Sequence, residues 1–444
     1  MKILKFGGTS VGSAASIRNV KKIITSQPGA KLLVVSAMSG VTNRLVELSR
    51  AVKNDQKENV AAIIQELQVK HFGLIDELID DASANDEVRS GISAQLEILK
   101  ADCNEIWDQY LDARILTTGE SLLSFIFSSY LKEQNVGNTL LDARDFMHIS
   151  NLENPDTGYV GELLNDIMKA SEVNDIFITQ GFVRLDENLK VSTLKRGGSD
   201  YTATILGAAI RASEIQIWTD ISGLHNNDPR FVENTHAVAQ LSFEEAAELA
   251  YFGAKILHPQ TISPVIGKNI PVYLKNTFTP DAQGTCISAL AERKGLKAIS
   301  AKDDITAIKI KSNRMLMAHG FLKKIFEVFD KYETAIDMIT TSEIAISLTI
   351  DNIRNLDHIV TDLEQYGEIS IDYSHSIICV VGEGLIEEKN TSRLFEILQD
   401  VPVRMISYGG SNNNISLLVD TRHKVEVLQK LNEKLFQRNL VNSL

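Results

Sequence analysis

Short apolar runs alternate with amphipathic stretches along most of the chain. Runs at 3–6, 32–36, 138–141, 176–180, 214–219 and 272–275 have the length and continuous hydrophobicity of strands buried on both faces. Between them, stretches such as 14–24 carry apolar residues at three-to-four spacing, which predicts helices. Together they predict an α/β domain with a mainly parallel sheet over residues 1–290. The region 58–110 is longer and more polar. There Ile64, Leu67, His71, Leu74 and Leu78 keep helical spacing, so a helical hairpin inserted at about 55–112 is expected. His71 lies on the apolar stripe and is read as a packed histidine, not a catalytic one.

The texture changes at Ala291-Glu292-Arg293-Lys294-Gly295-Leu296, and residues 291–300 are expected to form a linker. Beyond it the pattern repeats. The first unit, 301–372, reads strand (305–311), helix (321–332), strand (335–340), strand (345–350), helix (356–365). The second, 373–444, reads strand (376–381), helix (393–398), strand (403–407), strand (415–419), helix (424–436). A repeated β-α-β-β-α order predicts two α+β units, with an antiparallel sheet and helices on one face. No dinucleotide fingerprint follows them, and no catalytic constellation is visible in this half.

Composition narrows the function. The 444 residues are 44% hydrophobic and 23% charged, as in a soluble globular protein. The net charge of −13 argues against a nucleic-acid or anionic-membrane surface as the main partner. Any anionic substrate must then be met by local positive charge. No run reaches the ~18 apolar residues of a membrane span. Polar, glycine-rich sequence within six residues of Met1 is unlike a signal peptide. Cys103, Cys286 and Cys379 are far apart and suggest neither a disulfide framework nor a metal site. A cytoplasmic location is expected.

The candidate chemistry lies in six stretches. The first strand runs into Lys5-Phe6-Gly7-Gly8-Thr9-Ser10, with a helix after it. Glycines there let backbone approach a ligand, the helix start favours anions, and Lys5 adds a full charge. The order differs from a Walker loop, because no Gly-Lys-Ser/Thr closes it. Taken alone, the glycines could equally serve tight packing. The second stretch is Lys195-Arg196-Gly197-Gly198-Ser199-Asp200, again at a helix start. Arg196 offers a bidentate fork for a carboxylate, and Asp200 sits where the helix dipole stabilises its charge. Third comes the loop 218–230, with Thr219, Asp220, His225 and Arg230, on the carboxyl edge of a strand where open α/β sheets bind ligands. The fourth, 36–43, holds Ser36 and Thr42. The last two are Thr118-Gly119-Glu120-Ser121, read as a helix start, and a fragment at 253–259 with Lys255.

Jointly these stretches resemble the aspartokinase family of the amino acid kinase superfold, over nearly the whole chain. Lys5-Phe6-Gly7-Gly8-Thr9-Ser10 is highly specific for it. Gly320-Phe321-Leu322 and Ile339-Thr340-Thr341-Ser342-Glu343 resemble its tandem ACT domains, closest to the monofunctional lysine-sensitive class. The resemblance implies a three-layer αβα amino acid kinase fold followed by two ACT-like domains. It also implies an ATP:L-aspartate 4-phosphotransferase at the head of lysine, threonine and methionine biosynthesis, taking Mg2+ with ATP. By that resemblance Lys5, Gly7, Gly8 and Ser10 hold phosphate. Asp200 organises Lys5 and the substrate, and Arg196 with Gly197, Gly198 and Ser199 meets the α-carboxylate. Glu120 lies near the amino group, while Ser36 and Thr42 orient the side-chain carboxylate. Thr219, Asp220, His225, Arg230 and Lys255 belong to the nucleotide set. Met315, Gly320, Phe321, Leu322, Ile336 and Asp337 form a lysine effector site, in a homodimer joined through ACT domains. The sequence departs from the family at Lys195, usually glycine, at His225, often tyrosine, and at Ala318 and Ala335, often serine. Rival readings are a glutamate or nucleoside-monophosphate kinase of the same superfold, and a non-catalytic amino-acid sensor. Intact Lys5, Glu120, Arg196 and Asp200 argue against the sensor.

Overall fold

The first apolar run forms the strand β1 (Lys2–Phe6), and helix α1 (Ala14–Ser26) follows the glycine-rich turn. The computed structural model describes residues 1–171, 174–195, 197–253, 259–289, 295–315, 319–385 and 392–436. Arg196 and Lys255 lie outside the described residues, as does Ala318. In chain order there follow β2 (Lys31–Val35), α2 (Val41–Lys53), α3 (Lys57–Leu78), α4 (Ala82–Asp102), α5 (Gln109–Glu133), β3 (Thr139–Leu140), α6 (Thr157–Ala170) and β4 (Ile176–Gln180). Then come β5 (Val183–Leu185), β6 (Val191–Thr193), α7 (Gly198–Ala209), β7 (Glu214–Thr219), β8 (Gln240–Ser242), α8 (Phe243–Tyr251), α9 (Pro259–Ile262), β9 (Val272–Asn276) and β10 (Thr285–Ser288). The C-terminal elements are β11 (Gly295–Lys311), α10 (Phe321–Lys331), β12 (Ile339–Thr341), β13 (Ala345–Ile350), α11 (Leu356–Glu364), β14 (Glu368–Glu383), α12 (Ser392–Ile397), β15 (Val403–Tyr408), β16 (Asn414–Asp420) and α13 (Lys424–Leu435).

The chain divides into two compact units, residues 1–224 with 257–290, and residues 225–256 with 291–444. In the first, the strands run in the order β3-β4-β2-β1-β7-β9-β10. All neighbours are parallel except β10, which is antiparallel to β9. One face carries Leu4, Phe6, Leu33 and Val35 into a core shared with α1 to α5. The other face, with Ile3 and Ile215, is covered by α7, whose Gly207 lies against both side chains. Burial on both faces explains why these strands read as unbroken apolar runs. The expected helical insertion is the α3–α4 hairpin. His71 is fully buried there, its Nδ1 donating to the Leu67 carbonyl at 2.6 Å, and burial pushes its imidazole pKa down.

One expectation fails in this unit. Residues 118–121 do not open a helix. Helix α5 already starts at Gln109, because the Asp108 carboxylate caps it by accepting from the Tyr110 and Leu111 N–H groups at 2.9 and 2.7 Å. Glu120 therefore stands in mid-helix. The segment 225–256, which the sequence reading placed within 1–290, packs with the C-terminal unit.

In the second unit a six-stranded sheet runs β12-β13-β11-β14-β16-β15, with every pairing antiparallel. It holds two cores. One gathers Ile308, Ile310, Ile325, Phe329, Ile346, Leu348, Ile359 and Leu363. The other gathers Ile299, Ile378, Val380, Leu417, Val419, Val427 and Leu431. The expected linker 291–300 is, from Gly295 onward, the first half of β11. Through Ile299 that half joins the second core, so the first ACT-like unit is inserted within the second instead of preceding it. The strand expected at 335–340 is shorter and later, at β12. No helix among the described residues is long and apolar enough to cross a membrane.

Candidate active site

Strand pleating decides where Lys5 points. Leu4 and Phe6 enter the helical core, so Lys5, between them, faces the α7 side of the sheet. There its ammonium lies 2.6 Å from Asp200 Oδ1, and Lys5 as a whole is only 9% exposed. Asp200 occupies the first turn of α7. That helix begins at Gly197 in the left-handed region (φ 71°) and has no side-chain cap. Helix α2 begins in the same way at Gly40 (φ 80°). Uncapped first turns leave N–H groups for an anion, and the helix dipoles add to the attraction. Ser199 is half-buried in the first turn of α7, and Gly198 packs directly on the Phe182 ring.

Backbone hydrogen bonds bind the loops at this edge to one another. The Gly7 N–H donates to the Trp218 carbonyl at 3.1 Å, the Ser36 N–H to Phe6 at 3.2 Å, and the Ser39 N–H to Gly8 at 3.2 Å. Ser10 is fully buried. Its hydroxyl is spent on Thr277 Oγ1 at 2.7 Å and the Trp218 carbonyl at 3.3 Å. It therefore holds the loop in place rather than presenting a free hydroxyl. Thr42 stands half-buried in the first turn of α2, and Ser36 directly follows β2.

Glu120 is strongly perturbed. It is 3% exposed, and burial raises its pKa to about 8 from an ordinary 4.5. The Ala37 N–H donating to Oε1 at 3.2 Å and the charge of Lys5 offset that only in part. Its Oε2 is buried with no hydrogen-bond partner among the described residues. One oxygen is anchored and the other can still take a hydrogen-bond partner. Gly119 makes this possible: a Cβ there would sit 2.8 Å from the Ala37 Cβ and 3.0 Å from Val41 Cγ1.

At the end of β7, Thr219 Oγ1 donates to Asp220 Oδ1 at 3.1 Å, and Asn276 Nδ2 donates to the Asp220 carbonyl at 3.4 Å. Two further candidates of the nucleotide set belong to the second unit. His225 pairs through Nδ1 with Thr235 Oγ1 at 2.9 Å, and burial lowers its pKa. Arg230 sits in a turn closed by the Phe231 N–H on the Asp228 carbonyl, with its guanidinium on the Asp228 carboxylate (Nη2–Oδ2 2.6 Å). Arg196 and Lys255 fall outside the described residues.

Of the effector candidates, Met315, Phe321 and Ile336 pack at the margin of one core. Gly320 is the left-handed start of α10 (φ 78°), and Leu322 is exposed. The Asp337 side chain is 1% exposed and bound to Lys302. The sequence reading passed over Lys302, Thr277 and the Ala37 N–H. Each acts through a partner tens to hundreds of residues away, and no local signal marks them.

Comparison with known proteins gives the family of the chain. Residues 1–276 match the amino acid kinase family, and residues 378–435 match the ACT domain. Aspartokinase 1, chloroplastic, of Arabidopsis thaliana is 33% identical over 473 residues, covering 100% of this chain and 81% of its own. The lysine-sensitive aspartokinase 3 of Escherichia coli strain K12 is 29% identical, covering 98% and 99%. The crystal structure of E. coli aspartokinase III with aspartate and ADP superposes with a TM-score of 0.85 at 28% identity, covering 98% of this chain and 100% of that one.

Proposed function

The chain belongs to the aspartokinase branch of the amino acid kinase family, and we propose how its residues carry out aspartate kinase chemistry. The reaction passes the γ-phosphoryl group of ATP to the side-chain carboxylate of L-aspartate. A carboxylate oxygen forms the new bond to phosphorus, the bond to the β-phosphate oxygen breaks, and ADP leaves. The attacking carboxylate has a reference pKa of about 3.9, so it needs no general base at neutral pH. The protein's task is to bring two anions together and stabilise the charge spread over the transferring group.

Lys5 is assigned to that charge, with Asp200 holding its ammonium in place. The uncapped starts of α2 and α7, with Gly7, Gly8, Gly197, Gly198 and Ser199, are assigned to phosphate and carboxylate oxygens. Glu120 takes the substrate ammonium on its open Oε2, and Ser36 and Thr42 orient the reacting carboxylate. Thr219 and Asp220 are assigned to the nucleotide. The roles of Arg196 at the α-carboxylate, and of His225, Arg230 and Lys255 at the nucleotide, rest on sequence resemblance. Mg2+ enters with ATP as part of the substrate. The catalytic module is assigned to residues 1–224 with 257–290, and the ACT-like modules are assigned to lysine feedback and to a homodimer. The enzyme is assigned to the cytoplasm.

The observation that carries this reading is the Lys5–Asp200 pair at 2.6 Å beside the glycine-led start of α7. Coupled ADP-release assays with aspartate, glutamate and UMP test it. Turnover with aspartate alone is expected, and a preference for either alternative would overturn it.

A further inference from the structure

Two carboxylates and one ammonium meet just ahead of β12. Lys302 Nζ lies 2.6 Å from Asp337 Oδ1 and 2.9 Å from Asp351 Oδ2. Burial alone would lower the Lys302 pKa, but the two carboxylates together raise it, so the ammonium stays charged. Tyr251 covers the group. Its ring lies 4.5 Å beneath Lys302 Nζ, and its hydroxyl donates to Asp337 Oδ1 at 2.9 Å. Asp337 Oδ2 is buried and has no partner among the described residues. The same Asp337 and Tyr251 line a groove of about 260 Å³, with Glu248, Met338, Ser407 and Asn414 around them. The two acids and the one lysine leave the cluster one negative charge in excess, beside a hollow large enough for a small molecule.

Such a site suits a ligand with an ammonium group. Asp337 Oδ1 is already taken, because Lys302 presents to it the same alkylammonium that free lysine would bring. Asp351, with its side chain 41% exposed, already shares Lys302 and can hold it when it leaves Asp337. We propose that Lys302 is a built-in competitor for the effector seat at Asp337, and that a bound amino-acid ammonium displaces it toward Asp351. Effector affinity is then set by how firmly Lys302 holds Asp337. The inference rests on the reading of Asp337 as part of the lysine site.

Two substitutions on the same lysine should move affinity in opposite directions. Lys302→Met opens the seat. If it stands open about a tenth of the time in the native chain, L-lysine should bind on the order of tenfold tighter. Asp351→Asn takes away the alternative partner, leaves Lys302 more firmly on Asp337, and should weaken L-lysine severalfold. Asp351→Asn alters an exposed side chain, so it keeps the test decisive even if Lys302→Met unfolds around an unpaired buried acid. Calorimetric titration of full-length protein with L-lysine reads both, with Asp337→Asn as the control that abolishes binding. Equal affinity in the native chain and both variants would overturn the competitor role and leave the effector seat standing. Binding that survives Asp337→Asn, or no binding to any variant, would overturn the seat itself and the inference with it.

Discussion

Glu120 should make aspartate binding rise steeply with pH. Its pKa of about 8 comes from burial, and an ammonium seat needs the ionised form. At pH 7 about one Glu120 in eleven is ionised and at pH 8.5 about three in four, so KM for aspartate should fall about eightfold across that range. Substrate binding at pH 7 should then release about 0.9 proton, which calorimetry in buffers of different ionisation enthalpy would read directly. The stability consequence has the opposite sign. A carboxyl whose folded pKa lies above its unfolded value stabilises the fold fully below the unfolded value of 4.5, and loses that contribution as pH rises through about 8. The loss is at most on the order of 5 kcal/mol. Glu120→Gln, which keeps the shape without the charge, should bind aspartate weakly with a pH-independent KM and resist urea better than the native chain at pH 8.5. A native KM that is flat from pH 7 to 8.5, or a Glu120→Gln variant with the native slope, would refute the assignment.

Lys5→Ala should lower kcat by on the order of 10²–10³ with the circular dichroism spectrum unchanged, since one donor to the transition-state charge is lost. Near-native kcat would remove Lys5 from the chemistry. Lys195 is exposed and held in the left-handed region (φ 60°), which favours glycine. Lys195→Gly should therefore raise stability by up to about 1 kcal/mol in urea titration, and a clear loss would show that its side chain contributes to the fold. Gly119→Ala gains helix propensity but drives a methyl into Ala37, Val41 and Leu45. A net cost of about 1–2 kcal/mol is expected, with a raised KM for aspartate because Ala37 anchors Glu120.

Much of this protein was legible in its residue order, because strands buried on both faces and amphipathic helices write their periodicity locally. All six apolar runs of the catalytic half became strands within a residue or two, and the β-α-β-β-α repeat appeared nearly in place. The glycine-led loops were legible for the same reason: a left-handed start such as Gly197 is a property of the residue itself. Elsewhere distant partners decided. Thr118-Gly119-Glu120 looks like a helix start, yet the Asp108 cap places it in mid-helix, where tertiary packing buries Glu120 and shifts its pKa. Only the fold shows that the first half of β11 belongs to the second ACT-like core, because the β14 pairing that recruits it spans some eighty residues. Nothing around Lys302 in the sequence marks it, because its partners Asp337 and Asp351 lie 35 and 49 residues away. Periodicity tells a segment what shape to take and which face to bury. It carries no information about which remote segment will cover that face, and that choice sets the charge, burial and partners on which binding depends.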